Sequence, residues 1–231
     1  MSEFWARVSA TSPPLPGWVL AAAALLALAL VLQRDLWRLS RNAVTIAHEG
    51  AHGVAALLTG RRLAGIRLHS DTSGVTVSAG RPTGPGMVVT AFAGYVGAGL
   101  LGLGAAALLG AGHAIGALWL LLVLLALLLL QIRNLYGLWS VLVTGALVFA
   151  ATWWLPVTWQ SGFAHVVVWF LLLAAPRTVW ELQAKRRRRP TPDSDADQLA
   201  RLTRVPGLVW VGAFLVVDLG ALALGSRWVL T

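Results

Sequence analysis

The chain has 231 residues, of which 58% are hydrophobic and 12% charged; it carries a formal net charge of +9 and has no cysteine. So many long apolar runs exclude an ordinary soluble domain and point to a polytopic membrane protein, and the missing cysteines exclude a disulfide framework and thiolate chemistry. The basic residues fall in breaks between apolar runs, the pattern of the positive-inside rule, which argues for a lipid bilayer and against nucleic acid as the partner.

In chain order, residues 17–33 form a first apolar helix of spanning length. Gln33-Arg34-Asp35 follows with no small-residue cleavage site, which favours an uncleaved helix over a signal peptide. Arg34, Arg38 and Arg41 lead into a second helix, 40–59, with Gly60 as its cap. This helix carries His48-Glu49-Gly50-Ala51-His52. On a helix the two histidines stand about 6 Å apart along the axis and about 40° around it, so both imidazoles can reach one ion. Imidazole suits zinc, and Glu49, directly after the first histidine, is placed to accept a proton from water. A carboxylate at mid-span costs about 2.5–3.5 kcal/mol, which the few large aliphatics here barely offset; a bound cation would compensate.

Residues 63–79 change period. Ile66, Leu68, Val75 and Val77 alternate with polar residues around Ser70–Gly74, which predicts a β-hairpin straight after the metal-binding helix. Its edge is either plain surface or a template for an extended substrate. Further helices are predicted at 87–110, 114–132, 135–154, 160–184 and 205–225, making about seven transmembrane helices. Gly94, Ala98 and Gly102 give the third a flat face for close packing. Pro176 and Arg177 interrupt the 160–184 run. A basic loop and short helix fill 185–204, where Lys185–Arg189 mark the cytoplasmic face of a multi-pass cell-membrane protein and Ser194 with Asp197 starts the short helix. With seven crossings, however, Arg34, Arg38 and Arg41 fall on the opposite side from the basic block.

His48-Glu49-Gly50-Ala51-His52, followed by a hairpin and many spans, resembles the site-2 protease family of intramembrane zinc metallopeptidases, with most likeness to its compact bacterial and plant branch. The similarity extends to Ala93-Gly94-Tyr95-Val96-Gly97, Arg133-Asn134 and Ser194-Asp195-Ala196, and so covers roughly residues 42–225. The Leu-Asp-Gly that gives better-known members their third ligand is absent here. The resemblance points to Asp195 as the third zinc ligand beside His48 and His52. Asp218, a carboxylate within the last span, and Asn134, at a polar break, are alternatives, while Asp197 is better explained as a cap partner.

The resemblance implies an all-α polytopic fold carrying one small β-hairpin, a single membrane-embedded domain over 1–231 and a zinc metalloendopeptidase. Its substrates would be membrane-tethered proteins, with Glu49 as the base. Two other classes remain open at this point: a transporter using His48, Glu49 and Asp218 as an ion path, and an inactive protease-like scaffold.

Overall fold

The computed structural model describes residues 5, 8–188 and 193–230. Among these, α1 (Gly17–Leu32) and α2 (Arg34–Leu58) are followed by a hairpin of β1 (Arg62–Leu68) and β2 (Gly74–Ala79). Then come α3 (Pro85–Gly110), α4 (Ala114–Leu129), α5 (Leu135–Trp154), α6 (Val157–Arg188), α7 (Asp195–Thr203) and α8 (Gly207–Leu230).

All seven expected helices are present among the described residues, and the expected seven spans are borne out in part. Four are long and apolar enough to cross a membrane: α3, α5, α6 and α8. A fifth is reached only if α1 and α2 count as one broken span, bent by 96°. The bend has a local cause. Gln33 is extended: its N–H closes α1 on Ala29 O at 2.9 Å, while its side chain accepts a hydrogen bond from Leu36 N at 2.6 Å and so caps a new helix in a new direction. The helix that carries His48 and His52 therefore starts at Arg34, not near residue 40. Helix α4 stops at Leu129 because the chain then turns to join β1, with Ile66 N bonding Gln131 O at 2.8 Å and Arg133 N bonding Ile66 O at 2.9 Å.

The bend also removes the topological conflict. Trp37 Nε1 donates to Glu181 Oε1 at 2.8 Å, and Arg41 pairs with Glu181 at 3.5 Å. Arg177 pairs with Glu181 at 3.2 Å while its guanidinium lies 4.3 Å from the Trp37 ring centre. The start of α2 thus lies beside the C-terminal third of α6, and both basic groups gather at one end of the bundle. Lys185 to Arg188 are not loop: they form the last turn of α6, where positive side chains complement the exposed carbonyls of a helix end. Nor does Pro176 break α6, which is helical throughout; neighbouring helices on several sides hold the proline turn in place. Arg189 and the following residues to 192 lie outside the described residues.

Helix α3 is the centre of the bundle, touching α2, α4, α6, α7 and α8. Its small residues serve different neighbours. Gly94 and Gly97 face α2, as the flat-face reading expected for Gly94, whereas Gly99 faces α8 and Gly102 faces Leu171 and Leu172 of α6. A helix with five neighbours cannot reserve its small residues for one of them. The main core joins α1 to α6 with α8. A second, smaller core gathers Ala91 and Val96 of α3, Val179 and Leu182 of α6, Val211 and Phe214 of α8, and Ala196 and Leu199 of α7. Outward, α8 exposes Leu208, Val209, Val216, Leu219 and Leu224, a surface suited to lipid.

Candidate metal centre

The His-Glu helix is amphipathic: Arg41, Thr45, His48 and His52 share one stripe, and Glu49, His52, Ala55 and Ala56 are buried against the rest of the fold. His48 Nε2 and His52 Nε2 lie 3.1 Å apart, their rings nearly perpendicular. Asp195 Oδ2 lies 3.2 Å from the first nitrogen and 3.3 Å from the second. These three atoms form the one group of possible ligand donors found among the described residues.

Asp195 reaches the histidines because α7 is docked, not because it dips as a loose loop. Ser194 caps α7, accepting from Asp197 N, and Arg186 of α6 clamps Asp197 with contacts of 2.6 and 3.2 Å. Ala196 and Leu199 are fully buried in the second core, which turns the neighbouring Asp195 toward α2. Burial opposes the charged form of Asp195, but the adjacent His52 and His48 outweigh it and hold the carboxyl well below the usual carboxylate range. The group is ready to bind a cation as carboxylate.

Three observations show that this donor set fits a zinc ion. Ligand atoms on a tetrahedral zinc at about 2.0–2.1 Å stand about 3.3–3.4 Å apart, close to the observed triangle. His52 Nδ1 lies 2.7 Å from Thr90 O, and a carbonyl only accepts, so Nδ1 carries a proton and Nε2 is the ring nitrogen left to face a metal. Asp195 Oδ2 is buried yet makes no hydrogen bond despite its nearness to both rings. A metal ion at the point where the three groups converge would supply the positive charge that the imidazoles otherwise offer to Asp195.

Gly94 forms the wall of this cradle. A Cβ built there would collide with His52 Nε2 and Cε1 and crowd His48 Cε1, so the metal side of both rings is open only because the residue is glycine. Gly94→Val therefore lowers zinc affinity by about 100-fold, the upper range for disturbing a ligand's immediate surroundings. Gly104→Ala, with open space around its Cβ, leaves affinity unchanged. Competition with a calibrated zinc chelator measures both, and wild-type affinity in Gly94→Val refutes the cradle.

Glu49 is 4% exposed and sits beside β2, where the Thr76 hydroxyl donates to Oε2 at 2.6 Å. Tyr95 meets His48 edge-on at 4.9 Å and stacks on Phe214 at 5.1 Å. Asp218, one turn beyond Phe214, is fully buried and faces Gly99 with Ala175 nearby; neither carboxyl oxygen has a hydrogen-bond partner. It is not part of the group that His48, His52 and Asp195 form. Asn134 is occupied elsewhere, donating to Leu68 O at 2.7 Å and accepting from Leu68 N at 3.2 Å, so its amide extends the β1 edge as a strand would.

Sequence reasoning named the two histidines, Glu49 and Asp195 but missed Thr76, Gly94 as a wall, and the Thr90 carbonyl. Gly94 and Tyr95 lay within the stretch that carried the resemblance; Thr76 and Thr90 gave no signal, since both read as ordinary hairpin and helix residues. A family model described as Peptidase M50B-like matches residues 21–225. None of the curated proteins and none of the solved structures compared with the chain matches it.

Proposed function

The chain belongs to the Peptidase M50B-like family, and on that premise we propose that it is an intramembrane zinc metalloendopeptidase. It hydrolyses peptide bonds of membrane-tethered protein substrates, with residues 1–231 acting as one membrane-embedded unit. What supports the reading most is the triangle of His48 Nε2, His52 Nε2 and Asp195 Oδ2, three possible ligand atoms within 3.3 Å of one another inside a chain of this family. We assign these three as zinc ligands and Glu49 as the general base.

Zinc held there would polarise the scissile carbonyl and make water more acidic. The protein's own part begins with Glu49, which takes a proton from water. The electron pair of the broken O–H bond stays on the water oxygen, which forms the new bond to the carbonyl carbon while the carbonyl π pair moves onto its oxygen. Glu49 then passes the proton to the amide nitrogen as the C–N bond breaks, regenerating the carboxylate.

A transmembrane helix hides its carbonyls in its own hydrogen bonds, so the cleaved segment must be extended. The hairpin supplies a template for it. The outer edge of β1 is already taken by residues 131–134, whereas β2 pairs on one side only among the described residues, with Val75 and Val77 facing outward. The substrate therefore adds to β2. The end of the bundle that gathers Arg34, Arg38, Arg41 and Lys185–Arg188 faces the cytoplasm under the positive-inside rule.

Comparing the membrane proteome of cells carrying the wild type with cells carrying Glu49→Gln tests this function. Shortened fragments of one or a few membrane proteins accumulate only with the wild type. Identical proteomes, or wild-type protein purified without zinc, would overturn the reading.

A further inference from the structure

The hairpin touches the metal helix at more than its backbone. Thr45 Oγ1 bonds Thr72 O at 2.9 Å, tying the turn to α2, and one helical turn further on β2 meets Glu49. Along β2 the residues alternate: Val75 and Val77 point outward, while Gly74, Thr76 and Ser78 are half-buried. The Thr76 hydroxyl donates to Glu49 Oε2 at 2.6 Å and lies 3.0 Å from the Glu49 carbonyl oxygen. Gly74 completes the contact by having no side chain. A Cβ there would stand 2.5 Å from Glu49 Cγ, 2.6 Å from Oε1 and 2.7 Å from Cδ. The carboxylate thus lies on the strand itself, one oxygen tied to Thr76 and the other over Gly74.

We propose that Thr76 and Gly74 form a seat that orients Glu49, with Thr76 as a positioning residue and Oε1 as the oxygen that takes the proton. The inference rests on the assignment of Glu49 as the base. Its chemical content is the division of labour between the two oxygens. Oε2 is engaged by a hydroxyl donor, whereas no hydrogen bond engages Oε1 among the described residues, leaving it to meet water. The seat also makes the base depend on the strand assigned above to substrate binding. A peptide that straightens or shifts β2 as it pairs moves the base with it, so cleavage is coupled to correct docking.

The test uses the full chain in lipid vesicles, with zinc content, hydrogen exchange, and cleavage of the membrane protein revealed by the Glu49 comparison. Thr76→Val keeps stoichiometric zinc and an unchanged KM but loses about 100-fold in kcat, the scale of a catalytic group misplaced by an ångström. Thr76→Ser, which restores the hydroxyl, recovers most of that loss. Hydrogen exchange at residues 74–78 needs no activity: it quickens in Thr76→Val and in Glu49→Ala alike, and no further in the double variant. Wild-type kcat in Thr76→Val overturns the proposal, as does a raised KM with kcat intact, which would make Thr76 a substrate contact. Additive exchange effects in the double variant overturn it too, by showing no contact between the two side chains. If Thr76→Val does not fold, Gly74→Ala takes its place, with zinc retained and kcat lost as the expected result and unchanged kcat as the refuting one. Failure of the base assignment is read separately, as full activity in Glu49→Gln with the exchange coupling intact.

Discussion

Asp195→Ala loses the zinc that the wild-type protein retains, and Asp218→Ala keeps it. Removing Asp195 leaves two imidazoles whose Nε2 atoms are 3.1 Å apart, and two protein ligands rarely hold zinc at a site that needs three. The loss exceeds the roughly 100-fold that disturbing an outer partner of a ligand can cost, so dialysis strips the ion from this variant. Asp218 contrasts in every respect. It is buried apart from the histidine pair, its oxygens touch no donor, and it faces Gly99. A buried carboxyl with no partner costs stability wherever it sits, so Asp218→Ala or Asp218→Leu unfolds no more readily than the wild type. Metal analysis after dialysis, paired with thermal unfolding, reads both expectations. Normal zinc in Asp195→Ala with loss in Asp218→Ala moves the third ligand to α8 and dissolves the site as drawn here.

Glu49→Gln keeps zinc and loses hydrolysis by about 100- to 10,000-fold, the range a positioned general base contributes. The amide matches the carboxylate in shape, and Thr76 can still donate to its oxygen, so the hairpin stays seated. What the amide cannot do is take a proton from water. The split between metal content and rate separates this variant from His48→Ala and His52→Ala, which lose both together. Cleavage assayed in vesicles at saturating zinc provides the measurement; a Glu49→Gln protein that cuts at the wild-type rate has a different base.

Features that depend on spacing along one helix or on hydropathy can be read from the residues alone. His48 and His52 share a face because four residues make one turn, and Glu49 follows the first ligand whatever the rest of the chain does. The long apolar runs of α3, α5, α6 and α8 are set by bilayer thickness, and the hairpin by its period of two. Features that depend on where separate segments meet emerge only once the helices are packed together. The polar stretch at Gln33 reads equally well as the end of one helix or the cap of another, and only the bend between α1 and α2 brings Arg41 to Glu181. Asp195 lies some 140 residues from His52 along the chain, and no local pattern states that α7 will bury Ala196 and Leu199 so as to aim it inward. The packing of α7 against α3, α6 and α8 brings Asp195, and not Asp218, beside the two histidines, because proximity depends on where an oxygen ends up rather than on its depth in a helix. Thr76 and Gly74 are the clearest case: a threonine and a glycine in a hairpin carry no signature until the strand is laid against Glu49.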